Sequence, residues 1–154
     1  MRKGEDGQVL VVVVLAFAVI LGFAALAIDI GYVASVRSEL QRCADSGALA
    51  GAYVFMDPAV LPGDKVLEAR MRAEDYTTKD AVAGYRLNGS ETDVRVFPDP
   101  GLPENTVRVQ ATRTVGLFFA RAIGVSQRTV TVQAAARGIA DPGPPPDNIV
   151  QLVE

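Results

Sequence analysis

The chain holds few side chains that could carry catalytic chemistry. Its 154 residues include no histidine, no tryptophan and one cysteine, Cys43. Metal sites built from His and Cys, and catalytic triads with a histidine base, are therefore excluded within this chain, as is an intrachain disulfide. Carboxylates and lysines remain, but their spacing does not suggest an acid/base pair. The sequence predicts a protein that is not an enzyme and that needs no cofactor, metal or small-molecule substrate.

The net charge and the length of the chain further restrict the class of protein. Lys and Arg number 15 and Asp and Glu number 18, which gives a net charge of −3. This balance lacks the basic footprint of a nucleic-acid-binding protein, so no nucleic-acid partner is expected. The length leaves room for one long helix and one domain of about 100 residues with a modest core.

The apolar run from Val9 to Ile28 is the element that determines where the rest of the chain lies. It reads VLVVVVLAFAVILGFAALAI and carries no charge. A helix of this length extends about 30 Å, at about 1.5 Å per residue, which matches the hydrocarbon core of a bilayer. We therefore predict a transmembrane helix over 9–30, with the lipid bilayer as a partner, and a cytoplasmic N-terminus over 1–8.

A cleaved signal peptide is the competing interpretation of this run. Ala25 and Ala27 supply a small-x-small pair of the kind that precedes a cleavage site. However, signal h-regions span about 7 to 15 residues and are followed by non-helical sequence. Here the helical pattern continues past Ala27 without a proline, so a retained anchor is predicted.

Flanking charges predict the orientation of the span. Arg2 and Lys3 precede it, whereas the nearest basic residues after it are Arg37 and Arg42. By the positive-inside rule the N-terminus lies in the cytoplasm and the remainder of the chain lies outside.

An outer continuation of the helix is predicted over 31–55, and its second half has a face of very small residues. Gly47 and Gly51 form a GxxxG pair with Ala44 and Ala48 beside them. Such a face lets another backbone approach closely. It is expected to pack against the sheet of the same chain, although packing against another chain is a compatible alternative.

Beyond the long helix, the sequence predicts an α+β domain outside the membrane over 56–140. Prolines and a glycine between Met56 and Gly63 must end the first helix. Asp64 is the expected N-cap of a second helix, which runs from Lys65 to about Ala83.

Three later segments alternate with period two and are predicted to pair as a small antiparallel sheet. Between the second and third, Phe118, Phe119 and Ile123 are expected to form a short helical plug over the sheet, as part of the core. A ligand-binding role for these residues is the alternative. The tail over 141–154 is rich in proline, which favours an extended segment. The three segments are Thr92–Phe97, Val107–Val115 and Gln127–Ala135.

A helix that starts in a membrane and packs its outer half on a small sheet is a pilin-like architecture. The N-terminal stretch from Gly7 to Ala52 resembles the TadE-like and TadG-like proteins of the tight-adherence (Tad, or Flp) pilus assembly system. In that family an apolar span ends in Asp-x-Gly, here Asp29 and Gly31, and the helix closes in an alanine-rich stretch. The segment 107–138 also resembles the family's strand, phenylalanine-containing helix and strand. The matching residues of the alanine-rich stretch are Ala44, Asp45, Ala48, Leu49, Ala50, Gly51 and Ala52.

The resemblance implies a bacterial inner-membrane protein of single-pass topology that contacts other pilus-assembly or pilin-like proteins. Prepilins that are cut by the dedicated peptidase carry Glu at the fifth mature position. Cutting after Gly4 or Gly7 would place Val9 or Val12 there, so the resemblance implies an unprocessed or atypical minor-pilin-like accessory protein that acts as a scaffold. A membrane-tethered binding or adhesion module unrelated to pili, and a secreted β-rich protein, are the alternative functions.

Overall fold

The computed structural model describes residues 5–139. Within this range the chain is α+β, as predicted: a long apolar helix, a second helix and small antiparallel sheets. The predicted tail over 141–154 and the first four residues of the predicted cytoplasmic segment lie outside the described residues. The elements are α1 (Glu5–Met56), α2 (Lys65–Lys79), β1 (Ala81–Val82), β2 (Tyr85–Arg86), β3 (Thr92–Val96), β4 (Thr106–Gly116), a 3₁₀ turn (Ala120–Ile123) and β5 (Gln127–Arg137).

Helix α1 has two halves with different surroundings. Its 52 residues extend about 78 Å at about 1.5 Å per residue. The side chains of Val9 to Ile28 are exposed with the exception of Ala25, which is half-buried. In the second half of the helix, residues 31–56, here called the outer half, Val36 and Leu40 are fully buried. Within the described range, α1 is the one helix that is long and apolar enough to cross a membrane.

Helix α2 begins where the sequence predicts but ends one turn early. The predicted end at about Ala83 is wrong, because Ala83 and Gly84 both adopt positive φ angles, 52° and 84°, as in the tight turn of a β-hairpin. That turn joins β1 to β2. Helix α1 stabilises it, because the Glu39 carboxylate accepts the Ala83 N–H at 2.9 Å. Asp64 precedes α2 as expected, but its side chain makes no capping hydrogen bond.

The main sheet has three antiparallel strands in the order β3-β4-β5. The predicted strands are present, and β4 and β5 form a long hairpin that pairs Thr106 with Arg137 at one end and Gly116 with Gln127 at the other. The inner face of β4 is apolar, whereas the outer face carries hydroxyl pairs such as Thr112 with Thr131 at 3.2 Å. The buried apolar residues of β4 are Val107, Val109, Ala111 and Val115.

The core lies between this inner face and the two helices. The outer half of α1 packs against β4, β5 and α2, while α2 also contacts β3. Lys65 ties the start of α2 to the end of α1, because its ammonium donates to the Phe55 carbonyl at 2.8 Å. A cation at the C-terminus of a helix also interacts favourably with the helix dipole. The small domain is therefore built directly on the outer half of α1.

Candidate functional site

The small-residue face of α1 is occupied by the chain's own second helix. Ala44 and Ala48 are buried, and a Cβ added at Gly47 would lie 2.7 Å from the Ala73 carbonyl oxygen and would overlap the Thr77 hydroxyl. The first neighbour is thus α2, whereas the sequence predicts the sheet.

The second glycine of the pair is equally enclosed. A Cβ added at Gly51 would lie 2.9 Å from the Ala69 carbonyl oxygen and 3.1 Å from Val107 Cγ1. At this end the sheet contributes to the packing as well. Because α2 and β4 fill the face, it is not available to another chain.

Asp29 joins the end of the apolar run to the tip of the β4–β5 hairpin. Its side chain is buried, and one carboxylate oxygen accepts the Phe118 N–H at 2.9 Å while the other accepts the N–H groups of Phe119 and Ala120 at 3.0 and 2.6 Å. Hydrogen bonds to an ionised carboxylate are stronger than neutral ones. Three such bonds fix the hairpin tip against α1.

The predicted core position of the two phenylalanines is wrong. Phe118 is 66% exposed and Phe119 is 47% exposed, and Ile123 in the 3₁₀ turn is exposed as well. The hairpin extends beyond the three-stranded core, so its tip has no sheet to cover. It lies beside α1, where the Phe118 ring meets the Tyr32 ring edge-on with centroids 5.5 Å apart.

An open apolar groove separates the hairpin tip from the apolar run of α1. Its volume is about 390 Å³, and it lies between α1 residues from Val19 to Leu26 and the hairpin residues Phe119, Ala122 and Ile123. The groove therefore borders the segment that is predicted to lie in the bilayer.

The arrangement offers contacts between α1, α2 and the hairpin tip. Among the described residues no group of three His, Cys, Asp or Glu side chains could hold a metal ion. Cys43 is buried, and this burial raises the pKa of its thiol.

The sequence places Asp29 in the Asp-x-Gly motif but predicts no role for it. The available signal was its position, since it is the first charged residue after the apolar run. Its partners lie about 90 residues away in the chain, so no local pattern could identify them. Gly31 of the same Asp-x-Gly has no such partner: an added Cβ would meet no atom within 4 Å.

The exposed side of α1 carries a second group of apolar residues. Leu49, Tyr53 and Met56 are 64%, 57% and 42% exposed. At spacings of four and three they share one side of the helix.

Comparison with known proteins supports the resemblance in the N-terminal third of the chain. Residues 7–54 match the family model of putative Flp pilus-assembly TadE/G-like proteins. The match covers most of α1 and includes Asp29, the small-residue face and Tyr53. It does not extend to 107–138, where the resemblance stays a prediction. No curated protein and no solved structure matches the chain.

Proposed function

We propose that this chain is a membrane-anchored accessory protein of a Tad-type pilus assembly system, where it acts as a minor-pilin-like scaffold and not as an enzyme. The observation that carries the proposal is the match of residues 7–54 to the Flp pilus-assembly family. These residues form nearly all of α1, the element on which the rest of the structure is built.

The form of α1 supports a scaffold fixed to a membrane. Its apolar half is long enough to span the bilayer once, and the helix continues through Ile28 into the domain without a break. A continuous helix, braced by Asp29 against the hairpin, holds the domain at a defined height and angle. In the proposed topology the N-terminus lies in the cytoplasm, the span lies in the bacterial inner membrane and the domain lies outside.

Partner proteins require a surface that the fold leaves free. The face of Gly47 and Gly51 is filled by α2, so we assign partner contact to the opposite side of α1, around Leu49 and Tyr53. Exposed apolar and aromatic side chains that cluster on one side are typical of protein interfaces. Both residues lie within the segment that matches the family, and we propose pilin-like proteins as the partners.

Purification from native membranes tests the proposal. The full chain, with an affinity tag after Glu154, is extracted in mild detergent, and co-purifying proteins are identified by mass spectrometry. We expect pilus-assembly proteins, and we expect Leu49→Ser combined with Tyr53→Ser to lower their recovery about tenfold, which corresponds to about 1.4 kcal/mol.

Leu67→Ser is the matched control, because Leu67 is 61% exposed on α2, and recovery should not change. Partners from outside pilus assembly would contradict the proposal and would support a membrane-tethered binding or adhesion module. A chain recovered from the soluble fraction would contradict the membrane anchor.

A further inference from the structure

We propose that the tip of the β4–β5 hairpin, residues 117–126, is a second membrane-contacting element that inserts among the lipid acyl chains of the outer leaflet. The inference rests on the proposed anchoring of α1 in the membrane. It adds a shallow contact that the apolar run by itself does not indicate, and its principal residues are Phe118, Phe119 and Ile123.

The position of the tip along α1 is the first argument. Phe119, Ala122 and Ile123 border the same groove as Val19 and Leu26 of the span. Leu26 and Val19 precede Ile28 by two and nine residues, so they lie about 3 to 14 Å below the end of the apolar run at about 1.5 Å per residue. When the run spans a bilayer, the hairpin tip beside it therefore lies within the outer leaflet.

The surface of the tip is apolar, unlike the outer face of the sheet above it. Phe118 and Ile123 are 66% and 71% exposed, and Val125 is exposed too. In water such a cluster would be costly, whereas in acyl chains it is stabilised by about 25 cal/mol per Å² of apolar surface removed from water. The groove is continuous with the exposed surface of the span, which is why lipid is the occupant that we assign to it.

Backbone hydrogen bonds within the protein pair most N–H groups of the tip, which favours the insertion. Irregular backbone is tolerated at membrane depth only when its polar groups are paired within the protein. Asp29 accepts the N–H groups of Phe118, Phe119 and Ala120. Four further N–H groups are paired within the tip: those of Leu117, Ala122, Gly124 and Val125 donate to the carbonyls of Ser126, Phe119, Arg121 and Ala120.

Polar and amphipathic residues mark the expected membrane surface just above the tip. Tyr32 contacts Phe118, and tyrosines are enriched at the interface between lipid and water. Arg128, at the start of β5, lines the same pocket as Asp29. The guanidinium of Arg121 lies near Gly116, because its Nη2 nitrogen is 3.9 Å from the position that a Cβ on Gly116 would occupy. This orientation carries the charge away from the lipid, as in snorkelling.

Depth-dependent fluorescence quenching tests the proposal in the full chain. In a Cys43→Ala background, Ile123→Cys carries an environment-sensitive nitrobenzoxadiazole probe, and the protein is placed in phosphatidylcholine/phosphatidylglycerol nanodiscs with one copy per disc. Ile123 is exposed, so the probe does not disturb the core. We expect a blue-shifted emission, a loss of fluorescence with lipids brominated on the acyl chain, and little quenching by aqueous iodide.

Two control positions separate the possible outcomes. Phe17→Cys places the probe on the exposed surface of the span, and Asp75→Cys places it on the exposed side of α2. Lipid quenching at Phe17 and at Ile123, but not at Asp75, supports the proposal. Quenching at Phe17 with iodide quenching at Ile123 overturns it, because the tip then lies in water.

Protection of the Ile123 probe from both quenchers also overturns the proposal, because protein then covers the tip. Failure of the anchor itself is distinguishable, since the probe at Phe17 would then escape lipid quenching.

Discussion

The Ala120 N–H donates a hydrogen bond of 2.6 Å to the carboxylate of Asp29, which lies 91 positions earlier in the chain. This contact joins the end of the apolar run to the tip of a hairpin that the fold places beside it. The position of the small domain relative to the apolar run is therefore fixed by one buried carboxylate as well as by the continuity of α1.

Replacement of Asp29 should release the hairpin tip. Asp29→Asn keeps the shape but loses the charge and one acceptor oxygen, and Asp29→Ala loses all three hydrogen bonds, so the amides of Phe118 to Ala120 should exchange faster with solvent, most of all in Asp29→Ala. Hydrogen–deuterium exchange of the detergent-solubilised chain measures this. Asp75→Asn, at an exposed position on α2, should leave exchange at the tip unchanged. Equal protection in all three variants would show that Asp29 does not hold the tip.

Gly47→Leu should destabilise the outer domain because the new side chain collides with Ala73 and Thr77 of α2. Overpacking of this kind costs about 1 to 3 kcal/mol, or more where the backbone cannot move. Urea unfolding and protease resistance in detergent measure the loss, while membrane insertion should stay normal. Gly31→Leu is the matched control, since an added Cβ at Gly31 meets no atom within 4 Å. Equal stability of the two variants would contradict the observed packing of α1 on α2.

Cys43 should behave as a small buried hydrophobe without a redox role. Burial raises the pKa of its thiol, so at pH 8 the thiolate fraction is lower than that of a free cysteine, and thiolate is the form that reacts. Iodoacetamide should modify the chain only after unfolding, as read by mass spectrometry. Cys43→Ala should retain the same pilus-assembly partners. A reducible dimer whose loss abolishes partner recovery would contradict this role.

The ion pair of Arg113 and Glu91 should contribute more to stability than an exposed pair. The two groups are 2.9 Å apart with side chains 13% and 19% exposed, whereas Arg72 and Glu68 are 36% and 31% exposed. A double-mutant cycle of Arg113→Met and Glu91→Gln should give a coupling energy of about 1 to 3 kcal/mol. The same cycle at Arg72 and Glu68 should give about 0.5 kcal/mol or less. Equal coupling energies would show that burial of the first pair has no effect.

The orientation of the span should place the C-terminus outside the cytoplasm. A reporter enzyme that is active only outside, fused after Glu154, should be active, because Arg2 and Lys3 precede the uncharged run. N-terminal sequencing of the mature chain should still find QVLVVVV. An inactive reporter would refute the orientation, and a chain that begins after Ala27 would refute the retained anchor.

The sequence alone was sufficient to predict the helices and strands that have strong local patterns. The long apolar run predicts α1, and period-two alternation predicts β3, β4 and β5 to within one or two residues at each end. These signals are local because helix and strand periodicities depend on neighbours a few positions apart. The resemblance over 7–52 depends on the same contiguous stretch, and the family match confirms it.

Tertiary structure decided the contacts between distant segments. Ala83 has an ordinary helical pattern before it, but Glu39 holds its N–H in a turn, so α2 ends early. Phe118 and Phe119 look like core residues by composition, yet the length of the β4–β5 hairpin carries them past the sheet to the side of α1. The role of Asp29 likewise depends on residues about 90 positions away, because only folding brings the end of the apolar run against the hairpin tip.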